Sequence, residues 1–237
     1  MQQIKLSEIT IEKIKNRKFE KLIPEFYKLK GVVENNPWHN KEPVFNHTLS
    51  VLGNLGKIIS NSNKGVKKAL AKIVDINSRR NLLNLAALLH DIGKAETITD
   101  LGNEVRLCPG HERKGAKKIE KILKRFNLSQ KESKIIRDII GNHGVMHDII
   151  GLGYKDFQKN AGKEHNLTHS LTKLENKNFQ EEYKNLKNKF SDIYLELILL
   201  AFADTITSYL KKTEPAEFRH RINFYKKELK EFSLDRF

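Results

Sequence analysis

A His-Asp pair at the end of an apolar helical stretch is the strongest chemical signal in this sequence. His90 and Asp91 follow the run Leu82–Leu89 and are followed closely by Lys94. Burying an unpaired carboxylate costs several kcal/mol, roughly, unless a cation or hydrogen-bond donors compensate for it. Two side chains that bind metals well therefore lie in a segment whose apolar pattern otherwise predicts a buried core. For this reason the sequence predicts a bound metal ion.

Three further side chains of this kind lie on the apolar sides of predicted helices. His47 opens one helix, His143 continues the apolar stripe of another, and Asp204 ends the apolar segment 198–204. A single buried histidine is usually a hydrogen-bonded core residue. Several histidines and two aspartates on separate helices instead indicate a metal site built inside a helix bundle. Nitrogen and oxygen donors together favour a divalent transition metal over calcium.

The elements that must position these residues have helical periodicity. Apolar residues recur at three- and four-residue spacings through most of the chain, which predicts an all-α fold. Alternation with period two is short. Residues 104–107 are the best strand candidate, as half of a small hairpin after the turn at 100–103.

The organisation along the chain predicts a main domain with a segment on either side. We expect a helical lead-in over 1–36, a domain over 37–210, and a basic C-terminal helix over 211–237. Residues 31–46, with two prolines, are predicted to be a loop. Residues 151–189 are polar and weakly periodic, so we expect an insertion with one or two exposed helices.

Composition limits the partners and the compartment. The 237 residues carry a formal net charge of +15, which favours anionic partners such as nucleotides or RNA. The lysines are scattered, however, and this pattern is also typical of solvated helix faces. The sequence has neither a long apolar run nor a secretory signal, so no membrane association is expected. A single cysteine, Cys108, is consistent with a cytoplasmic protein.

The motifs together resemble the HD-domain superfamily of metal-dependent phosphohydrolases. The segments that carry this resemblance occur in the family's order: Asn46-His47-Thr48-Leu49, Leu88-Leu89-His90-Asp91-Ile92-Gly93-Lys94, Gly110-His111-Glu112-Arg113-Lys114-Gly115-Ala116, Asn142-His143-Gly144 and Phe202-Ala203-Asp204. The sequence is most similar in character to the HD domain attached to bacterial tRNA nucleotidyltransferases. It lacks the nucleotidyltransferase head, the Glu-Asp pair of alarmone hydrolases and the Gly-Tyr-Pro signature of cyclic-dinucleotide hydrolases.

The resemblance implies an HD-domain helical bundle with a metal site in its core. Four residues would be the primary metal ligands: His47, His90, Asp91 and Asp204. Two more would hold a second metal or contact the substrate phosphate: His111 and His143. Asp91 would also orient the attacking water, and Lys94 would bind a phosphate oxygen. The cofactor would be one or two divalent ions (Mn, Fe, Co, Ni or Zn, with Mg as a further candidate).

The implied reaction is hydrolysis of a phosphate ester of a nucleotide-like substrate. One metal would favour a phosphomonoester, whereas a second metal on His111 and His143 would favour a cyclic or linear phosphodiester. Arg113 and Lys114 are candidates for steering the substrate, although exposed charges in a first helical turn often have no such role. His147 is expected at the surface or at the pocket rim, with contact to the substrate or the metal as the alternative. Two other functions stay open: a non-catalytic nucleotide or nucleic-acid binding module, and a di-iron oxygenase of the HD type. The oligomeric state also stays open.

Overall fold

A computed structural model describes residues 4–161 and 177–232. Among the described residues no helix combines the length and the hydropathy needed to cross a lipid bilayer. The helices are α1 (Ile11–Lys15), α2 (Pro24–Lys28), α3 (Val44–Asn61), α4 (Lys64–Ala71), α5 (Arg79–Leu89), α6 (His111–Leu123), α7 (Gln130–Asn142), α8 (Val145–Ala161), α9 (Lys177–Lys189), α10 (Tyr194–Thr207), α11 (Leu210–Thr213) and α12 (Pro215–Glu231). Short 3-10 turns cover Leu6–Glu8, Leu29–Gly31 and Lys94–Glu96.

Helix α10 runs through the centre of the bundle. Its residues from Tyr194 to Ala203 are all buried, because the segment is apolar on every side apart from Glu196. Glu196 accepts a hydrogen bond at 2.6 Å from the Arg79 guanidinium, which compensates its charge. Helices α3 and α12 pack on α10, α5 packs on α3 and α7, and α6 packs on α7. The predicted all-α HD bundle is therefore confirmed.

Side-chain caps fix where several of these helices begin. Ser78 caps α5 and Asn63 caps α4, each by accepting a backbone N–H from the first helical turn. Ser129 and Glu132 form a capping box at the start of α7. Helices α5 and α7 carry ligand-type histidines at their ends, so their caps set the register of the site.

A small antiparallel sheet covers one side of the bundle. Its strands are β1 (Val33–Asn36), β2 (His39–Pro43), β3 (Thr99–Asp100) and β4 (Arg106–Leu107), in the order β2-β1-β4-β3. The second hairpin was predicted from the sequence. The first was not, because residues 31–46 were expected to be a loop. Asn36 explains the difference, since its side-chain oxygen accepts the N–H groups of Trp38 and His39 and closes a tight turn.

The segments flanking the predicted domain pack into the same core. The N-terminal segment consists of short helices rather than one long one, with Ile14, Phe19 and Ile23 buried. Arg17 adopts a left-handed conformation with φ of 58°, which separates α1 from the following turn. In α12, Phe224 and Tyr225 are buried. The division at 37 and 210 remains an interpretation of the sequence.

Part of the polar stretch 151–189 also differs from expectation. Helix α8 continues through residue 151 without a break, and residues 162–176 lie outside the described chain. In α9 the residues Phe179, Tyr183 and Leu186 are buried. Their spacing of four and three places them on one face of the helix, so α9 is amphipathic rather than fully exposed.

Candidate metal centre

Ligand-type side chains converge from the ends of five helices. Each lies in a first or last helical turn, and the contributing residues are His47 of α3, His90 after α5, His111 of α6, His143 after α7 and Asp204 of α10. The carboxyl ends of α5 and α7 carry partial negative charge, which favours a cation at this place. His90 and His143 are almost completely buried.

Three of these histidines are held in the tautomer that a metal requires. In His90, His111 and His143, Nδ1 lies 2.8 Å from the backbone carbonyl oxygen of the residue three positions earlier. A carbonyl can only accept, so Nδ1–H donates, and in the neutral ring, the form that binds a metal, Nε2 keeps its lone pair. All three Nε2 atoms therefore offer lone pairs to the interior of the site.

The first donor set contains His111, His143 and Asp91. The two Nε2 atoms are 3.1 Å apart, and Asp91 Oδ1 lies 3.3 Å from His111 Nε2 and 3.8 Å from His143 Nε2. Neighbouring ligand atoms around an ion with bonds of about 2.1 Å are separated by about 3.0–3.4 Å. Two lone pairs facing each other repel unless a cation or a proton lies between them. Two of the three donor distances therefore match a divalent metal, and the third, from Asp91 to His143, is about 0.4 Å longer than that range.

The second donor set contains His47, His90 and Asp204. Their candidate ligand atoms all lie within 4.8 Å of one another. His90 Nε2 is buried and has no hydrogen-bond partner among the described residues, and His47 Nε2 lies 2.7 Å from Asp204 Oδ1. A buried nitrogen lone pair without a partner is costly, and a metal ion would compensate it.

Asp91 lies between the two donor sets. While Oδ1 faces His111 and His143, Oδ2 lies 3.2 Å from His90 Nε2 and 2.9 Å from Lys94 Nζ. Burial disfavours the charged carboxylate, but the neighbouring His90 ring and the Lys94 ammonium outweigh burial and hold the pKa of Asp91 well below its usual range. Asp91 is thus an ionised carboxylate with one oxygen directed to each set.

Two other groups in the site have strongly shifted pKa values. Burial, together with His90 and His111, holds the pKa of His143 well below its usual range, so its imidazole is neutral. Burial opposes the charge of Asp204, but hydrogen bonds from His147 and His47 outweigh it and hold the pKa of this carboxyl well below its usual range. A neutral imidazole and an ionised carboxylate are the forms that bind metals.

Lys94 is inside the site rather than in solvent. It is only 4% exposed, and its ammonium pairs with Asp91 and, at 2.6 Å, with Glu34 Oε2 of β1. An ammonium has three N–H donors, so these two carboxylates leave one for another acceptor.

A close approach between two backbones brings α6 against the His-Asp turn. A Cβ atom on Gly93 would lie 2.2 Å from the carbonyl oxygen of His111 and 2.6 Å from the nitrogen of Gly115. Only glycine permits that distance. Gly110, with φ of 67°, provides the left-handed residue before the first turn of α6. These two glycines set the position of His111 relative to Asp91.

The structure brings together every residue that the sequence singled out as a ligand or catalytic group. Arg113 and Lys114 lie exposed in the first turn of α6. Their steering role stays a prediction. His165 and His169, to which no role was given, lie outside the described residues.

Several neighbours of the site were not identified from the sequence. His147 Nε2 lies 3.0 Å from Asp204 Oδ2, which is a direct contact rather than a rim position. Glu112 joins His111 and His143 in a further group of candidate ligand atoms. Glu34 and His39 reach the site from the unpredicted hairpin. In the sequence, the four-residue spacing of His143 and His147 was the pattern that could have placed His147 beside the other histidines. Gly144, which lies between them, interrupts the helical pattern and obscured this relation.

Comparisons with known proteins agree with this geometry. The family model described as "HD domain" matches residues 44–209. Two curated relatives are each 27% identical over 128 residues, and each is a "Bifunctional uridylyltransferase/uridylyl-removing enzyme" from Caulobacter vibrioides, one from strain NA1000 / CB15N and one from strain ATCC 19089 / CIP 103742 / CB 15. The matched segment is 54% of this chain and 12% of each relative, so the chain spans only a small part of their length.

Proposed function

Because the chain belongs to the HD domain family, we propose that it is a metal-dependent phosphohydrolase that cleaves a phosphodiester of a nucleotide-like substrate. Two divalent transition-metal ions would be held in the two donor sets. The ion in the second donor set would be bound by His47, His90, Asp91 and Asp204. The ion in the first donor set would be bound by Asp91 together with His111 and His143.

The position of Asp91 between the donor sets is the observation that carries this proposal. Its two oxygens face different histidines, at 3.2 Å on one side and 3.3 Å on the other. A carboxylate placed in this way suits two ions about 3.5–4 Å apart, the spacing of two-metal phosphoryl-transfer sites. Two ions flanking an in-line displacement would stabilise both the attacking and the leaving oxygen of a phosphodiester.

The bound ions would supply Lewis-acid stabilisation of the phosphoryl oxygens and would lower the pKa of a water molecule. The protein's own groups would do the rest. Asp91 would orient the attacking water, and the remaining N–H of Lys94 would donate to a phosphoryl oxygen.

The matched relatives support a nucleotide substrate. Their name includes the removal of a uridylyl group, which is a nucleoside monophosphate attached through its phosphorus. The net charge of +15 is consistent with an anionic substrate as well. Neither observation identifies the base or the leaving group.

A hydrolysis panel with matched variants tests the proposal. The substrates are bis(p-nitrophenyl) phosphate, 2′,3′- and 3′,5′-cyclic nucleotides, linear dinucleotides and mononucleotides. Each is assayed both without and with oxygen, and with added Mn, Fe, Co, Ni, Zn or Mg. Wild type is compared with Asp91→Asn, which keeps the side-chain shape, and with Asp138→Asn, a control on α7 outside the donor sets.

We expect metal-dependent cleavage of diesters that Asp91→Asn loses by about 100-fold or more and that Asp138→Asn retains. Faster cleavage of mononucleotides than of any diester would replace the diester assignment by a monoesterase. Turnover that requires oxygen would favour a di-iron oxygenase. Binding of nucleotides without turnover under any condition would favour a binding module.

A further inference from the structure

The hairpin of β1 and β2 contacts the candidate metal centre from outside the segment matched by the HD domain model. The match begins at residue 44, and the hairpin covers Val33 to Pro43. Its residue Glu34 reaches Lys94. The ring of His39 packs at a right angle on that of His47, with centroids 4.7 Å apart, and the Trp38 ring lies 5.0 Å from that of His147. One short hairpin therefore touches a candidate ligand, His47, and two neighbours of the candidate ligands, Lys94 and His147.

Glu34 is the member of this hairpin with the most unusual environment. Its side chain is 6% exposed, and its Oε2 lies 2.6 Å from Lys94 Nζ and 3.4 Å from His39 Nε2. Lys94 Nζ in turn lies 2.9 Å from Asp91 Oδ2. Glu34, Lys94 and Asp91 thus form a buried row of charges in which the Lys94 ammonium is shared between two carboxylates.

Charge balance alone does not explain Glu34. Asp91 and Lys94 already neutralise each other, so a third buried charge costs stability unless it has a role. A lysine on a flexible four-carbon stem can rotate around its carboxylate partner. Glu34 holds the ammonium on the Oδ2 side of Asp91, away from the Oδ1 atom that faces His111 and His143. This leaves Oδ1 open to the first donor set.

We propose that Glu34 is a positioning residue that, through Lys94, fixes which oxygen of Asp91 faces each donor set. The proposal rests on the proposed function in so far as it assigns metal ions to those sets. Outer partners of metal ligands typically contribute about 10–100-fold to metal affinity or activity, because they fix the direction of the ligand. Glu34 would have this role although it lies outside the matched segment.

The test uses Glu34→Gln, which keeps the shape of the side chain and removes its charge. Glu104→Gln is the matched control, because Glu104 is an exposed glutamate next to the same sheet. Each protein is loaded with Co²⁺, and the visible absorption spectrum, the Co²⁺ affinity, the kcat and the KM are measured. Circular dichroism and Tm report whether the variant is folded.

We expect Glu34→Gln to change the Co²⁺ spectrum and to lower metal affinity or kcat by about 10–100-fold, with KM nearly unchanged. Glu104→Gln should behave as wild type. A variant Lys94→Met should change the Co²⁺ spectrum and affinity as Glu34→Gln does, and it should lose more activity because it also removes the donor to the phosphoryl oxygen. In spectrum and affinity the double variant should differ no further from wild type than Lys94→Met, since both residues act on Asp91 through one contact.

If Glu34→Gln lowers Tm but keeps the spectrum, the affinity and kcat of wild type, Glu34 is only structural and the proposal is wrong. Should Glu34→Gln not fold, Glu34→Asp replaces it: a charge set back by one methylene should give a smaller loss of the same kind, and unchanged values would contradict the proposal. The spectrum and the affinity do not depend on turnover. A failed hydrolase assignment would therefore leave this test intact.

Discussion

Replacing Gly93 by alanine should damage both the stability of the bundle and the metal centre. The new Cβ atom would lie 2.2 Å from the His111 carbonyl oxygen and 2.6 Å from the Gly115 nitrogen. Ordinary contacts to such atoms are about 3.3 Å, so α6 must move by about 1 Å relative to the His-Asp turn. Both obstructing atoms belong to the backbone, so no side-chain rotation can relieve the clash.

The size of the effect follows from this displacement. Overpacking of a well-packed interior costs about 1–3 kcal/mol. In a domain of this length each kcal/mol lowers Tm by about 2–4 °C. The movement also takes His111 Nε2 away from Asp91 Oδ1, now 3.3 Å apart. A misplacement of about 1 Å in a catalytic site costs up to about 100-fold in rate.

Urea unfolding of the metal-free protein and kcat/KM of the metal-loaded protein measure the two effects separately. Gly56→Ala is the matched control, because a Cβ at that helical position of α3 meets no atom within 4 Å. It should leave activity unchanged and raise the unfolding free energy by about 0.4–1 kcal/mol. If Gly93→Ala matched Gly56→Ala in both assays, the close approach would not position His111, and the reasoning would be refuted.

Three further predictions concern metal binding and pH. His143→Ala should reduce the bound Mn²⁺ measured by mass spectrometry from two ions per chain to one, and an unchanged count would contradict the assignment of the first donor set. Metal at a hundred times its Kd should stabilise the wild type by about 2.7 kcal/mol for each ion bound, relative to the chelated protein, whereas Asp91→Asn should gain much less in the same thermal scan. Burial raises the pKa of Glu132, but hydrogen bonds from Asn77, Ser129 and Ile76 outweigh burial, so the pKa in the folded protein lies below its ordinary value of 4.5. Because the pKa of Glu132 is lower in the folded than in the unfolded protein, its ionised side chain stabilises the fold fully above pH 4.5. This stabilisation is lost as the pH falls through the pKa of the folded protein. The difference in urea-unfolding free energy between wild type and Glu132→Gln should therefore shrink below that pH, and a constant difference would exclude this contribution.

The convergence of most candidate ligands was predictable from the sequence because these residues stand in apolar helical patterns, whereas His111 was indicated by the family resemblance alone. His143 and Asp204 stand where the periodicity requires a core residue, and His90 and Asp91 directly follow a buried run. A polar side chain in such a position needs a partner, which is a physical signal that one sequence contains. The same reasoning predicted the helical bundle, since the apolar spacing repeats along most of the chain.

The surroundings of the site were not predictable in this way. Glu34, His39 and Trp38 lie in a short polar segment without periodicity, and they become part of the site only because an Asn36 turn and the pairing with β4 fold the hairpin onto the bundle. Lys94 could be recognised from its distance to the His-Asp pair, but its burial between two carboxylates depends on Glu34, a residue 60 positions earlier in the chain. Contacts between distant segments set the outer environment of the site.

The most direct test of the two-metal phosphodiesterase is a titration of the metal-free protein with Mn²⁺ under anaerobic conditions, with diester cleavage measured at each step. Asp91 faces both donor sets, so cleavage should rise steeply between one and two equivalents per chain and reach its maximum at two. A maximum at one equivalent, or no cleavage at any ratio, would contradict the proposed role of Asp91 and of the His111–His143 pair.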